Sequence, residues 1–479
     1  MTIEAKKNGE PRAPKKQRKR EMKRVFEYVM TMVAVAMIGF GCEAQPEVAQ
    51  SRLVVLDPGH FHANLLQKTA LAAYSDTVVV YAPEGAEVEQ YVSAIESYNS
   101  RSENPTNWVL DLSLGDGFVE RMVAEKRGDV VVLAGNNRNK TRYIYESVKA
   151  GFDVLADKPM AINTDDYALL KEAYALAAEK GVVIYELMTE RYDHLNMVER
   201  RILANEALFG ELTSGTPEEP AVYQESVHHF CKMVSGKPSV RPAWYYDVEQ
   251  QGEGIADVTT HLIDQVAWQC FPEQSVAVEE VEVVSAQHWP TQITAAQYEQ
   301  STGLKQWPDY LKKYVRRGVL GVNANGVANF VMKGVNVQMK VVWNFVAPAG
   351  SGDTSTSYKK GTKAVVRQLQ NVDTGYAKKL YIEPAEGADL VAFESAVAAF
   401  EKELQAEWPQ ITIVAEEGGR YWVNIPAEVK LSHEEHFGLV ADAFMVYKRG
   451  TQQMPQWEVD NTLSKYYITT RAVEMACGK

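Results

Sequence analysis

Asp257, His261 and Asp264 are spaced i, i+4 and i+7 in the run from Gly252 to Asp264. A helix there places all three on one face, with Ile255, Val258, Leu262 and Val266 on the opposite, buried face. An Asp one turn before a His is positioned to accept from the imidazole, which fixes its tautomer and raises its pKa. Upstream, Lys158 ends the apolar run Val154-Leu155-Ala156-Asp157 and precedes Pro159. Proline fixes the turn, so Lys158 cannot simply continue the strand, and a lysine at the carboxyl end of a buried strand points into a ligand crevice. Histidine is a residue type that exchanges protons near neutral pH, and a lysine ammonium steadies negative charge developing on an oxygen beside it. The competing reading is a capped helix whose solvated face happens to carry Asp257 and His261.

Other residues bear on cofactor and metal chemistry. Asp57-Pro58-Gly59-His60-Phe61-His62 links the first strand to the first helix, the place where dinucleotide folds cradle pyrophosphate. Gly59, His60 and Phe61 are therefore candidate cofactor contacts, although the GxGxxG pattern is absent. Alternate residues of an extended turn point apart and no third ligand is near in sequence, so no metal is expected at His60 and His62. Asn136 and Asn137, after the strand DVVVLA, are placed for nicotinamide–ribose contacts, and Glu84, after the second strand, for a ribose hydroxyl. Trp244 and Tyr245 are candidates for a sugar pocket, with core aromatics the equal alternative. His433-Glu434-Glu435-His436 lacks the H-E-x-x-H spacing, and Ser432 with Glu435 reads as a helix capping box.

The elements that position these residues come in two rhythms. Leu53–Leu56, Thr77–Tyr81, Asp129–Ala134, Asp153–Ala156 and Val182–Leu187 are apolar, β-branched runs. Helical stretches are expected at 63–73, 87–98, 116–126, 142–150 and 164–180. Strands alternating with helices describe a doubly wound parallel sheet. Downstream, Val335, Val337, Met339, Val341, Trp343 and Phe345 alternate with polar residues, a half-buried strand. Asn325-Gly326 and Lys333-Gly334 are hairpin-turn signals before it. Thr362–Gln370 is a further strand, Leu390–Trp408 an amphipathic helix, and 417–419 a hairpin turn. Helices are expected near 433–448 and 461–475. The fold class is α/β, with an α+β C-terminal domain built on a mainly antiparallel sheet. The expected divisions are 51–190 for the first domain and 191–479 for the second, with 371–426 unassigned.

Charge and cysteine usage narrow the setting. The net charge is −13, yet residues 1–41 carry +6, which leaves −19 for the remainder. So acidic a body repels phosphate backbones and excludes nucleic acid as partner. Residues 28–41 are 14 uncharged, mostly apolar residues after Lys23 and Arg24. That stretch is too short to span a bilayer, which needs about 20 residues, and fits the core of an export signal. Gly39-Phe40-Gly41-Cys42 resembles a lipobox without its usual Leu, so Cys42 is the expected lipidation site and 42–50 a tether. Cleavage without lipidation is the alternative. Cys231, Cys270 and Cys477 form no disulfide framework or metal-ligand spacing.

The run AGFDVLADKPMA, from Ala150 to Ala161, resembles the signature "aGkhVlcEKPla" of the Gfo/Idh/MocA oxidoreductases, with Asp157 replacing the usual Glu. Asn136-Asn137, Glu190-Arg191-Tyr192 and the glycine-rich turn before Asp257-x-x-x-His261-x-x-Asp264 fit the same pattern. The resemblance covers about 51–370. It implies a Rossmann-like N-terminal domain, NAD or NADP as cofactor, tightly held if the protein is exported, and Lys158, Asp257 and His261 as the catalytic set. It further implies cofactor contacts from Lys158, Pro159 and Arg191, and substrate contacts from Trp244, Tyr245 and Asp264. A small carbohydrate or cyclitol is the implied substrate, and the C-terminal sheet is a surface for a homo-oligomer. A lipid-anchored envelope protein touches the membrane only through that anchor. Two alternatives remain open: a redox-neutral glycoside hydrolase or lyase retaining NAD, and a carbohydrate-binding protein on a degenerate enzyme fold.

Overall fold

The computed structural model describes residues 15–31 and 50–478, except 235, 236, 239 and 349. Cys42 and most of the expected export signal lie outside the described residues. Lys15–Thr31 is a helix, and its Val25 is fully buried.

Six strands form the first sheet: β1 (Leu53–Leu56), β2 (Thr77–Ala82), β3 (Val109–Leu114), β4 (Val130–Leu133), β5 (Asp153–Ala156) and β6 (Ile184–Glu186). All pair in parallel in the order β3-β2-β1-β4-β5-β6. This order reverses direction between β1 and β4, the switch point at whose carboxyl end ligands bind. The central strands are apolar on both faces and fully buried, as helices on both sides require. One face packs against Ile144, Leu170, Ala173 and Tyr466; the other packs against Tyr91, Ile95, Phe437 and Phe444. The C-terminal helices, His433–Lys448 and Gln456–Ala476, thus return to complete the first domain.

The second sheet is built from β7 (Val222–Cys231), β10 (Val281–Thr294), β11 (Val315–Arg316), β12 (Val319–Met332), β13 (Val335–Val346), β14 (Thr354–Lys360), β15 (Ala364–Gln370), β16 (Lys379–Pro384), β17 (Thr412–Ala415) and β18 (Tyr421–Asn424). Between them β8 (Met233–Val234) and β9 (Lys237–Pro238) make a separate small hairpin. The main order is β10-β12-β13-β7-β14-β15-β16-β18-β17, antiparallel throughout except for β13 beside β7. Residues 371–426 continue this sheet, with the helix Leu390–Glu407 burying Phe393, Val397, Phe400 and Leu404 against it.

Three expectations change. Asn325-Gly326 is no turn but the middle of β12, because Ile255 packs where a Cβ on Gly326 would stand, 2.4 Å away. The helix expected at 63–73 shrinks to His62–Leu65. Gln67 there is buried, its side chain accepts from Tyr91 and its carbonyl from Trp108 Nε1. A sixth parallel strand, β3, stands where none was expected; it is a half-exposed edge.

Candidate active site

The turn after β1 is clamped to the end of β4. Gly59 and His60 donate their amides to Ala134 O at 3.2 and 3.1 Å. Gly135 makes this approach sterically feasible, since a Cβ there would lie 2.1 Å from Asp57 O. Asp57 takes a left-handed conformation (φ 50°), and its half-buried carboxylate, whose pKa is raised by desolvation, accepts from Tyr143. Beside this turn opens a cleft of about 230 Å³ lined by Gly59, Glu84, Glu87, Asn136 and Trp244 among others.

The cleft suits the adenosine–ribose half of a dinucleotide. It opens at the switch point, Gly59 leaves its wall free of a side chain, and Glu84 stands at its mouth, where an acid bonds ribose hydroxyls. Asp57, Glu84 and Glu87 line it with no Lys or Arg, a poor setting for an additional 2′-phosphate. Phe61 is exposed at the turn's tip, whereas Asn137 is buried and donates to Gln251 O at 2.7 Å, tying the first domain to the segment before the glycine-rich turn. Asn136 donates to Gln250 at 2.8 Å while still lining the cleft.

Lys158 follows β5, and the next peptide, to Pro159, is cis. The turn is held by Tyr466, which accepts the Met160 amide at 2.8 Å. Gly254 lets Asp257 approach from the second domain, because a Cβ there would meet Ala324 O at 1.9 Å. Lys158 Nζ then donates to Asp257 Oδ1 at 2.6 Å. Burial alone would lower the Lys158 pKa, but Asp257 and Asp157 outweigh it and hold the ammonium charged. Burial likewise would raise Asp257, and Lys158 reverses that to a net lowering.

The expected Asp257–His261 hydrogen bond is not made. The helix breaks at Val258 into Gly254–Asp257 and Thr259–Cys270. Thr260 Oγ1 takes the Asp257 carbonyl at 2.6 Å, and the His261 amide shifts to Val258 O. Asp257 pairs with Lys158 instead. His261 Nδ1 is buried without a partner, and its pKa is lowered to about 3, by burial first and by Lys158 second. A neutral imidazole thus lies within reach of the Lys158 charge.

Asp264 and Arg191 belong elsewhere. Arg191 forks onto Asp264 at 2.7 and 2.8 Å and onto Glu458 at 2.7 and 2.9 Å. Lys465 joins Asp264 to Glu186. All five groups are buried, so the two residues expected at cofactor and substrate brace the domains from inside.

His60 and His62 do not point apart. The chain turns helical at Phe61 (φ −61°, ψ −17°), so both rings face Asp157. His62 Nδ1 lies 2.9 Å from Asp157 Oδ1 and His60 Nδ1 3.2 Å from Oδ2. Ser432 and Glu435 form the expected capping box, yet the helix they start also sets His433 against His62, rings 5.9 Å apart.

Trp244 lies on the cleft, while Tyr245 is buried within reach of the charges of Asp257 and Lys158. Sequence spacing gave no sign of the groups beside it. Trp343 stacks on His228 at 4.9 Å, Arg241 lies over Tyr245 at 4.3 Å, and Asp353 joins His228, His229 and Lys232. Only the alternation of β13 hinted at Trp343. Phe230, Tyr245, Gly252, Asp257 and Trp343 line a pocket of about 10 Å³, room for a single water.

Residues 33–187 match a family described as "Oxidoreductase family, NAD-binding Rossmann fold", and residues 198–477 match "Putative oxidoreductase C terminal domain". No curated protein matches the chain. A crystal structure of a "putative oxidoreductase" from Parabacteroides merdae is 43% identical, with a TM-score of 0.88, covering 90% of this chain and 98% of that one. A biliverdin reductase from Synechocystis in complex with biliverdin and NADP+ is 12% identical (TM-score 0.53; 90% of this chain, 99% of that one). A 3-ketoreductase from Actinomadura kijaniata in complex with NADP is also 12% identical (TM-score 0.52; 88% and 96%). These last two share the fold.

Proposed function

Because the chain belongs to the oxidoreductase family with an NAD-binding Rossmann fold, we propose that it moves a hydride between NAD and a secondary alcohol carbon of a small carbohydrate or cyclitol. The observation that carries this reading is the Lys158–Asp257 pair, 2.6 Å long, with the neutral ring of His261 within reach of the Lys158 charge. The nicotinamide, when bound, supplies the hydride acceptor or donor. Lys158 places a fixed ammonium against the substrate oxygen as it gains negative charge. Asp257 holds that ammonium in place, and His261 receives the hydroxyl proton. His228 on Trp343 and Arg241 on Tyr245 offer hydrogen-bond donors to sugar hydroxyls. Glu84 and Glu87 favour NAD over NADP.

A second reading is a redox-neutral lyase or hydrolase that retains its NAD. The His228–Asp353 pair favours it, since elimination needs an additional proton acceptor besides His261. For location, the proposal is export and lipid anchoring at Cys42, which an N-terminal sequence of the mature protein checks. Mass spectrometry of dinucleotide released from denatured, natively produced protein tests the cofactor. Turnover of a glycoside with no net NADH formed selects the second reading; stoichiometric NADH selects the first.

A further inference from the structure

We infer that His60, His62 and Asp157 form a binding site for one divalent first-row metal ion, placed between the dinucleotide cleft and Lys158. The donors are two imidazole nitrogens and a carboxylate, a set that suits zinc, iron(II) or manganese. They come from the carboxyl ends of two parallel strands, β1 and β5, whose positions the sheet fixes.

The distances fit. All three ligand atoms lie within 4.8 Å of one another, with the two nitrogen–oxygen separations at 2.9 and 3.2 Å. Bonds of roughly 2.0–2.1 Å in a tetrahedral site put neighbouring ligand atoms about 3.3 Å apart. The two nitrogen–oxygen separations are within about half an ångström of that spacing.

Charge supports the same conclusion. The side chain of Asp157 is only 2% exposed, and no ammonium or guanidinium among the described residues contacts it. Lys158 is committed to Asp257, and Lys140 donates to Asn137. The two imidazoles are the nearest charge-forming partners of Asp157, and the Lys158 ammonium acts on it without contact. His60 Nδ1 is near Asp157 without the alignment of a hydrogen bond, so a simple double hydrogen bond leaves that nitrogen unsatisfied.

A separate element adds to this. His261 brings a buried, unpartnered Nδ1 from the helix Thr259–Cys270, close enough for the charges of Asp157 and His62 to act on it. It stands outside the 4.8 Å cluster, so it is a partner for a metal-bound water rather than a ligand of the ion. The metal's role, gripping the oxygen of the reacting carbon beside Lys158, rests on the oxidoreductase reading; the existence of the site does not.

The test uses the full chain, stripped with a chelator and dialysed against Zn²⁺ or Co²⁺ alone. Metal content is measured by mass spectrometry, and the cobalt form by its visible absorption. One equivalent is expected in the wild type, with affinity falling at least 100-fold in His62→Ala and in His60→Gln. Folding of each variant is checked by circular dichroism. His288→Ala serves as the control, because Glu253, His288 and Cys477 form the other cluster of ligand type among the described residues. Uptake that survives in both His60 and His62 variants overturns the proposal, as does a sulfur-to-cobalt absorption band, which assigns the ion to Cys477. A wild type that takes up neither ion also overturns it. NADH titration of the same samples separates the two ideas: metal without dinucleotide sinks the oxidoreductase reading, and dinucleotide without metal sinks the site.

Discussion

Replacing Asp257 by Asn removes the charge that holds Lys158, and the cost follows from burial. The two side chains are 13% and 7% exposed, so Lys158 would keep its ammonium in a desolvated site with no contacting counter-ion, Asp157 acting only from a distance. Breaking one side of such a pair costs about 3–5 kcal/mol. Lys158→Met leaves Asp257 equally stranded, at a similar cost. The double variant strands neither charge, so it should be more stable than the sum of the singles predicts by on the order of 3 kcal/mol. Urea unfolding of the four proteins at pH 7 measures this directly. The pair is ionised there, since Asp257 is lowered and Lys158 raised. For Asp257 the contribution is present above its unfolded pKa and is lost as pH falls through its lower folded value. Costs that add to within about 0.5 kcal/mol would refute the reasoning. Turnover should fall roughly 10²–10⁴-fold in His261→Ala, the range for losing a proton-transfer group.

Other consequences can be measured separately. Asp264→Ala takes one of two carboxylates from each of Arg191 and Lys465, which keep Glu458 and Glu186. It should cost about 1.5–3 kcal/mol in denaturant unfolding for the lost charge-assisted hydrogen bonds, with NADH affinity unchanged because neither group lines the cleft. Burial, the largest cause, lowers the pKa of His194 to about 4. The unfolded chain binds that proton from about pH 6.5 downward, so this stabilisation is complete above 6.5 and is lost as pH falls to 4. It amounts to on the order of 3 kcal/mol, and His194→Phe should flatten the stability–pH curve across that window. Glu84→Ser should shift the NADPH-to-NADH affinity ratio toward NADPH by about tenfold, or roughly 1.4 kcal/mol, in a fluorescence titration.

Five of the six parallel strands were legible because central strands are continuous apolar runs. β3 was not, since Val109–Leu114 is an edge whose alternating polar residues mimic a loop. Lys158 stood out at the end of a strand run, and Asp257 and His261 by their helical spacing. Their partners did not stand out: a helix face was assumed to continue through Val258, where threonine hydroxyls instead take the carbonyls of Ile255 and Asp257. Convergence over long separations was also hidden. Nothing in the chain announces that Arg191 meets Glu458, or that Asp157 gathers His60 and His62 from 95 or more residues away. The alternation rule failed at His60 and His62 because it presumes an extended chain, and the chain there is already helical.

The most direct test of the oxidoreductase reading is single-turnover absorbance at 340 nm. NAD-loaded protein is mixed with a panel of pyranosides and cyclitols, and Lys158→Met, loaded with the same cofactor, is run in parallel. The wild type should form up to one NADH per chain with at least one member of the panel, and Lys158→Met should form it at least 100-fold more slowly. NADH appearing in Lys158→Met at the wild-type rate, or in neither protein with any member of the panel, would contradict the account.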